Sequence, residues 1–310
     1  MSVSVLRTAE NWWVRTPAGA TQIDTTARTT AELLADRSAV EAARGSANVV
    51  AIDGLELLSP VTTPCRVVAQ MTNFASHVKD AGMDPKSVPL TFFRKSSASI
   101  SGPSHSIVKP PHVRFLDYEV EIGLVVGRDI AVGTMVSEVN GYIAGLVVTN
   151  DVSARDIQLP QTQFYEAKSY PTFTPVGPDL VLLDDEELAR FGELRLRLSV
   201  NGEERQNAVV EGDMLYQPLK ALQSLSRFQD LAAGDLILTG TPVGTALSAP
   251  PKPVEMISRL LPTAVKWKAF FASQAANPKY LHDGDEVEAS IRTDDGAIDL
   301  GTQRMRVRYS

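Results

Sequence analysis

Short apolar runs bounded by turn-forming residues constrain this chain more than any other feature of its sequence. After residue 64, segments such as RVVAQM, AGLVVTND, DLILTGTP and RMRVRYS are rich in Val, Ile or Leu, and most are bounded by Gly, Pro, Asp or Asn. Such runs are typical of β-strands. They do not alternate regularly with helical patterns, which disfavours a doubly wound parallel sheet. We therefore predict a β-rich α+β fold.

The first 62 residues form a separate pattern. WWVRT predicts a strand, and TTAELLADRSAVEAA predicts a helix that begins near a Thr or Ser. The Pro-containing stretch VVAIDGLELLSPVTTP that follows is typical of a linker. We predict a small N-terminal α/β domain at 1–62 and a larger domain at 63–310. The alternative is a strand–helix appendage of a single domain.

Charge and composition narrow the classes of function. The 310 residues carry a formal net charge of -7, and Lys and Arg are scattered rather than clustered. This argues against nucleic-acid binding, which needs a basic face. No segment has the run of about 20 apolar residues that a membrane span needs, and the N-terminus lacks the apolar core of a signal peptide. We expect a cytoplasmic protein that binds neither nucleic acid nor membrane.

The stretch FLDYEVEIGLVVGRD, residues 115–129, begins with carboxylates and continues as an apolar strand. Side chains alternate across a strand, so Asp117, Glu119 and Glu121 are expected on one face. Carboxylates at this spacing repel one another, and burying them unpaired costs free energy. A hard divalent cation such as Mg²⁺, Mn²⁺ or Ca²⁺ would resolve the conflict. For an isolated Glu-x-Glu, an exposed strand end with solvated charges is the commoner alternative.

A second polar group follows the apolar run AGLVV, where the chain reads TNDVSARDIQ. Asp151 stands at the end of this predicted strand and could complete a site of three carboxylates. Arg155, Asp156 and Gln158 follow it. The alternative is that these residues begin and cap a short helix.

Nine segments, in the same order as in the family, resemble the fumarylacetoacetate hydrolase superfamily. They are NFASHVKD, FRKSSASISGP, LDYEVEIGLVVGRDI, TNDVSARDIQ, AKSYPTFTPVGPDLV, VNGEERQ, GDLILTGTPVG, LHDGDEVEASI and DLGTQRMRV. The resemblance covers nearly the whole chain after residue 64. It implies a roll of mixed β-sheets around the site, a small N-terminal domain and a homodimer.

The resemblance also assigns metal ligands. It implies one Mg²⁺ or Mn²⁺ per subunit, held by Glu119, Glu121 and Asp151. Asp117 is not a usual ligand in the family, so its role stays open.

Further residues match family positions around the substrate. Lys168 would place a positive charge beside a developing oxyanion. Arg155 and Gln158 match positions that contact substrate in relatives. The Thr241 hydroxyl could donate to a substrate carbonyl or carboxylate, and plain turn chemistry of the Gly-Thr-Pro sequence is the alternative. Substrates of the family are typically 2-oxo acids with a further carbonyl, such as acylpyruvates.

His77 and Asp80 lie in the segment NFASHVKD, three residues apart. On a helix they would share a face. The family has a short lid helix with the same histidine, so we predict that His77 draws a proton from water while Asp80 orients it. Relatives that cleave acylpyruvates often have Glu where this chain has Asp80. That departure could suit a different substrate.

Three functions follow from these residues. The first hypothesis is a metal-dependent hydrolase that cleaves a carbon–carbon bond in a 1,3-dicarbonyl or acylpyruvate-type 2-oxo acid. The second is isomerisation, tautomerisation or decarboxylation of a 2-oxo diacid on the same scaffold. The third is a non-catalytic binding protein with a structural Ca²⁺, against which Lys168 and His77 argue.

A long segment at 248–280 follows TGTP and contains Trp267, Phe270 and Phe271. We predict that it packs on the larger domain or forms a wall over the site or dimer seam. The alternative is a surface insertion.

Overall fold

A computed structural model describes residues 2–161, 163–248 and 262–310. Strands make up most of its regular structure. They are β1 (Val3–Arg7), β2 (Trp12–Thr16), β3 (Gly19–Gln22), β4 (Val49–Val50), β5 (Val67–Met71), β6 (Thr91–Lys95), β7 (Ile100–Ser101), β8 (Ile107–Lys109), β9 (Leu116–Asp117), β10 (Val120–Val126), β11 (Ile143–Asn150), β12 (Ser153–Ala154), β13 (Thr174–Pro175), β14 (Leu180–Leu182), β15 (Leu194–Val200), β16 (Glu203–Val209), β17 (Leu236–Leu238), β18 (Glu286–Thr293) and β19 (Asp299–Tyr309).

The described helices are fewer than the strands. The described α-helices are α1 (Thr30–Ala35), α2 (Arg37–Arg44), α3 (Ala75–Asp80), α4 (Arg155–Gln158), α5 (Asp185–Ala189), α6 (Pro218–Leu225) and α7 (Thr263–Gln274). Single 3₁₀ turns lie at Ile52–Gly54, Ser97–Ser99, Glu166–Lys168 and Phe191–Glu193. None of the helices in the described part of the chain combines the length and apolar character that crossing a membrane requires.

Two mixed sheets form the body of the molecule. The larger has the strand order β4-β3-β2-β1-β14-β11-β10-β17-β5-β6, in which only β17 and β5 pair in parallel. The second has the order β16-β15-β18-β19-β8, in which only β19 and β8 are parallel. The predicted β-rich α+β fold is confirmed.

Strand β10 lies at the centre of the core and is buried along its whole length. Leu124 packs in one apolar cluster with Leu196 of β15 and Ile291 of β18. The next residue, Val125, points to the other face and packs in a second cluster with Leu33 of α1. Because both faces are covered, the run IGLVV can be apolar at nearly every position. Burying one such side chain contributes about 1.5–3 kcal/mol.

The sequence suggested one continuous strand in the stretch 115–129, but the structure divides it into two. Leu116 and Asp117 form β9, which pairs with β12 in a separate two-stranded sheet. Regular pairing resumes at Val120, the first residue of β10. The ladder pairing is thus interrupted between Asp117 and Val120, where the sequence pattern assumes an unbroken strand.

The N-terminal strands belong to the larger sheet. Residues Val3–Val5 of β1 pair antiparallel with Leu180–Leu182 of β14, which joins β1–β4 to the strands that follow residue 62. The predicted N-terminal helix is divided at Asp36 into α1 and α2. Helix α1 begins with a capping box, in which the Thr29 hydroxyl accepts from Glu32 N and the Glu32 carboxylate accepts from Thr29 N. The boundary at residue 62 stays a prediction.

Part of the segment 248–280, residues 249–261, lies outside the described residues. In the described part, α7 carries an aromatic group in which the Trp267 and Phe271 rings stack 5.6 Å apart. Phe271 also lies 5.8 Å from Phe115 and packs against the main apolar cluster. This end of the segment therefore packs on the body of the molecule.

Candidate metal and active site

Three carboxylates meet where β10 begins and β11 ends. Glu119 precedes β10, Glu121 is its second residue, and Asp151 follows β11. The two strands are antiparallel, with Val120 opposite Asn150, so the start of one lies beside the end of the other. One oxygen of each carboxylate lies within 4.8 Å of the others, and all three residues are buried. The structure thus brings together the three predicted ligands, here called the acidic triad.

Two buried lysines approach the acidic triad. Lys168 Nζ donates to Glu119 Oε2 at 2.8 Å and to Asp151 Oδ2 at 2.6 Å. Lys95 Nζ donates to Asp151 Oδ1 and, at 2.9 Å, to the carbonyl of Phe173. Each oxygen of Asp151 therefore faces one ammonium group. The position of Lys168 agrees with a role beside developing negative charge, which stays a prediction.

Lys95 was not identified from the sequence as a site residue. It ends the strand TFFRK, and the only sequence indication is a lysine that closes a half-apolar strand inside a family segment. Strands β10, β17 and β5 separate β11 from β6 in the sheet. The contact between Lys95 and Asp151 therefore requires the sheet to curl, and a long-range curl cannot be predicted from local patterns.

Arg155 is held by three side chains. Its Nε donates to Asp117 Oδ2 at 2.7 Å, its Nη2 to Glu119 Oε1 at 2.6 Å and its Nη1 to Gln158 Oε1 at 2.7 Å. The structure brings the predicted residues Arg155 and Gln158 to the edge of the acidic triad. Their expected contacts with substrate stay predictions.

Asp117 has a supporting place beside the acidic triad. Besides Arg155, its carboxylate accepts from the backbone N–H groups of Tyr118 and Ala246, each at 2.8 Å, and of Leu247 at 3.1 Å. Asp117 is not grouped with the three triad carboxylates. Asp117 fixes Arg155 and the chain at 246–247.

Within the acidic triad, Glu121 differs from its neighbours. Among the described residues it has no ion pair, and its Oε2 accepts from Gly240 N at 2.7 Å. Burial raises the pKa of Glu121 well above its ordinary value, and the charges of Asp151 and Glu119 raise it further. Burial also opposes ionisation of Glu119, but Lys168 and Arg155 lower its pKa to about 2.

The donor set fits a divalent metal ion. A buried carboxylate with no ion pair among the described residues, next to two other carboxylates, offers the oxygen ligands that hard cations such as Mg²⁺ and Mn²⁺ prefer. Such an ion would give Glu121 the direct ion pair that no described residue makes with it. The acidic triad can therefore hold a metal.

The turn at 240–244, from the segment TGTPVG, supports the acidic triad from the side of β17. Gly240 has φ +85, and a Cβ there would lie 2.9 Å from the Cβ of Asn73, so a glycine is required. The Thr241 hydroxyl donates to the carbonyl of Val120 at 2.9 Å and accepts from Gln206 at 2.8 Å. This hydroxyl, predicted to contact substrate, fastens the turn to β10 in the structure.

His77 lies in α3, close enough to Glu119, Arg155 and Lys168 for their charges to act on its pKa. Burial lowers that pKa below the ordinary value for histidine. Its Nδ1 is buried without a hydrogen-bond partner among the described atoms. Asp80 is the last residue of the same helix, and the described contacts include no hydrogen bond between the two side chains. The predicted orientation of His77 by Asp80 stays a prediction.

Known proteins are similar to this chain in sequence and in fold. The family described as fumarylacetoacetate (FAA) hydrolase, C-terminal, matches residues 66–308. The oxaloacetate tautomerase Fahd2a, mitochondrial, of Rattus norvegicus is 35% identical over 235 residues, which are 76% of this chain and 65% of that protein. This match therefore spans less than two thirds of the rat protein.

Solved structures agree over the full length. That of a probable 2-hydroxyhepta-2,4-diene-1,7-dioate isomerase from Mycobacterium abscessus has a TM-score of 0.75 and 28% identity, and covers 100% of this chain and 99% of its own. The fumarylacetoacetate hydrolase of Exiguobacterium antarcticum has a TM-score of 0.73 and 25% identity, with 100% of both chains covered. The matched domain, the fold and the acidic triad together show that this chain belongs to the fumarylacetoacetate hydrolase superfamily.

Proposed function

We propose that this chain catalyses metal-dependent enolisation of a 2-oxo diacid, as a tautomerase or isomerase. The observation that carries the proposal is the environment of His77: burial lowers the pKa of its imidazole, the charges of Glu119 and Lys168 act on it, and the described contacts include no hydrogen bond to Asp80. In enolisation the base returns its proton to the same substrate. In hydrolysis the base must hold a proton taken from water until the bond breaks, which a hydrogen-bonded carboxylate would assist.

The acidic triad and the nearby Lys168 would have different roles in substrate binding. Glu119, Glu121 and Asp151 would hold one Mg²⁺ or Mn²⁺ ion. When bound, such an ion supplies positive charge to the 2-oxo carboxylate end of the substrate. Lys168 lies between Glu119 and Asp151 and adds a second positive charge where the enolate oxygen would develop.

The proton transfer conserves all atoms. His77 removes a proton from the carbon beside the 2-oxo group, the C–H electron pair forms the C=C bond, and the carbonyl π pair moves to oxygen. The proton then returns to that oxygen to give the enol tautomer, or to the far carbon of a conjugated substrate to give an isomer. A base with a pKa below that of ordinary histidine stays unprotonated and ready at neutral pH.

The names of two relatives support this proposal. The rat protein, 35% identical over 76% of this chain, is an oxaloacetate tautomerase, and the Mycobacterium abscessus structure is named as an isomerase. Hydrolysis of a carbon–carbon bond is the second candidate, and it is the first hypothesis from the sequence alone. It is supported by Asp80 on the same helix as His77 and by the Exiguobacterium antarcticum enzyme, a hydrolase.

A mass-spectrometric product screen tests the proposal. The protein, loaded with Mn²⁺, is incubated with oxaloacetate, with unsaturated 2-oxo diacids and with acylpyruvates, and parallel reactions run in D₂O. We expect unchanged product mass in water and gain of deuterium at the carbon beside the 2-oxo group. Two fragments with the gain of one water would establish hydrolysis instead, and loss of CO₂ would establish decarboxylation.

The matched control is the H77A variant. It keeps the acidic triad, so metal binding should persist while deuterium exchange falls to a small residual rate. If no panel member reacts and Ca²⁺ binds as well as Mn²⁺, the protein is the non-catalytic binding protein of the third hypothesis.

A further inference from the structure

Helix α3 has only six residues, Ala75–Asp80, and its N-cap residue, Phe74, offers no side-chain cap. A helix this short is marginal by itself, because its first N–H groups have no partners within the helix. Yet it carries His77, whose position near the acidic triad the proposed reaction needs. Something outside the helix must therefore fix its first turn.

Asp213, in the loop between β16 and α6, supplies that support. Its carbonyl accepts from Ala75 N at 2.7 Å. Its carboxylate accepts from Ser76 N at 2.7 Å through Oδ1 and from the Ser76 hydroxyl at 2.6 Å through Oδ2. One residue thus makes three hydrogen bonds to the two residues that directly precede His77. The carboxylate performs the capping that Phe74 cannot.

The same contacts continue to the acidic triad. The Ser76 hydroxyl also accepts from Val243 N at 3.2 Å. Val243 belongs to the turn at 240–244, in which Gly240 N donates to Glu121 at 2.7 Å. Through Ser76, Asp213 therefore connects the base-bearing helix to the turn that holds a predicted metal ligand.

Backbone pairing between residues 73–74 and 214–215 fixes the position of the neighbouring Asp213. Phe74 and Met214 form an antiparallel bridge, and Leu215 N donates to the Asn73 carbonyl at 2.8 Å. The Asn73 side chain accepts from Tyr216 N at 2.8 Å and donates to the Thr239 carbonyl at 2.8 Å. The segment 213–216 is thus a rigid support, and the carboxylate of Asp213 has a fixed place from which to act.

We infer that Asp213 is a positioning residue that sets the distance and orientation of His77 relative to the acidic triad. The inference rests on the proposed function for its effect on turnover, and on geometry alone for its effect on His77. Misplacement of a reacting group by about 1 Å can cost about 10²-fold in rate. Loss of the Asp213 carboxylate should therefore lower kcat without a matching rise in KM.

A double-mutant cycle tests the inference. D213A should lower kcat about 10²-fold, with KM and Mn²⁺ affinity little changed, and D213N should recover part of the loss because its amide oxygen still accepts from Ser76 N. In the H77A background, D213A should lower the residual rate by no more than about twofold, the limit of additivity for independent sites. Equal effects of D213A in both backgrounds would overturn the inference.

The control variant is D230A, because the exposed Asp230 also caps a backbone N–H, that of Val132, in a different loop. It should leave kcat unchanged, which separates a general loss of folding from an effect on His77.

An NMR titration of the His77 ring gives a readout independent of turnover. In D213A the ring should become more exposed, and its pKa should rise toward that of an ordinary histidine; an unchanged titration curve would overturn the inference. If the His77 curve moves but H77A leaves turnover unchanged, the positioning role stands and the proposed function fails.

Discussion

Two groups of ion pairs in this chain have similar lengths and opposite surroundings. In the site, Lys168 Nζ lies 2.6 Å from Asp151, and the two side chains are 3% and 0% exposed. At the outer surface of the second sheet, Arg195 Nε lies 2.6 Å from Asp294, with side chains 25% and 63% exposed. The distances alone do not distinguish the two.

The surroundings decide what each pair does. Water and salt screen the surface pair, so it contributes little to stability. In the site, each charge has lost its hydration, and removal of one partner leaves the other buried and unpaired. The cluster around the acidic triad therefore costs free energy to assemble, which is characteristic of a functional centre.

The largest effect should follow from removal of a predicted metal ligand. Glu121 has no ion pair among the described residues, so E121Q leaves no stranded cation and should fold. We expect kcat/KM to fall about 10³-fold or more, because loss of the metal removes several kcal/mol of charge stabilisation. Steady-state kinetics with saturating Mn²⁺ measure it. The surface variant E288Q should be neutral, and equal activity of both would contradict the metal assignment.

Removal of a buried cation should lower the free energy of unfolding more than removal of a surface cation. K168M leaves Glu119 and Asp151 each without the ammonium group that they share, and we expect the free energy of unfolding to fall by about 3–5 kcal/mol in chelator. Urea denaturation gives the value. The surface change R304M is the reference. A loss in K168M no larger than in R304M would show that the buried cluster is solvated after all.

Metal binding itself should stabilise the fold. At a free Mn²⁺ concentration about 100 times Kd, binding adds about 2.7 kcal/mol to the free energy of unfolding. Thermal melts with Mn²⁺ and then with excess chelator should show a reversible rise of Tm. E121Q should lose the rise. A rise that survives in E121Q would place the bound ion elsewhere.

The buried His77 should make stability depend on pH with a defined sign. Burial lowers its folded-state pKa below the ordinary value of 6.5, so well above pH 6.5 both states are neutral and His77 adds no pH dependence. As the pH falls below that value, the unfolded chain takes up the proton first and stability declines, by about 1.4 kcal/mol for each unit of pKa difference. Denaturation of the native chain and of H77Q between pH 7.5 and pH 5 compares them. Parallel curves would refute the burial of His77.

The smallest effect belongs to the surface. A double-mutant cycle on Arg195 and Asp294 should give a coupling near the error of measurement at low salt, and none at high ionic strength. The same increase in salt should leave the K168M loss nearly unchanged. A surface coupling that resists salt would remove the contrast between the two groups.

The sequence predicts the parts of this site that lie near one another along the chain. Glu119 and Glu121 were predicted from the polar start of one apolar run, and Asp151 from the polar end of another, because such patterns can be recognised in the sequence. Lys95 could not be assigned in this way, because its contact depends on the curl of a sheet with three intervening strands. The supporting contacts of Asp117 could not be predicted either, because the alternation rule assumed an unbroken strand and β9 and β10 pair with different partners.

The supports of the site were also beyond local patterns. Asp213 and Gln206 are ordinary polar residues in their own segments. Their contacts with Ser76 and Thr241 join parts of the chain that are 137 and 35 residues apart. Only the tertiary fold shows which polar residue holds which turn.

The parallel pairing of β17 with β5 also bears on how the chain folds. Leu236 pairs with Val67 and Leu238 with Ala69. A strand near the start of the matched domain therefore pairs with one that lies far downstream in the sequence. Contacts of such long sequence separation form slowly, because the chain loses entropy on closing the loop before the paired strands stabilise it. The turn at 240–244 follows β17 directly and reaches Glu121 only once that strand is in place. During synthesis, therefore, the carboxylates of β10 and β11 should emerge well before the protein can bind a metal ion in its native geometry.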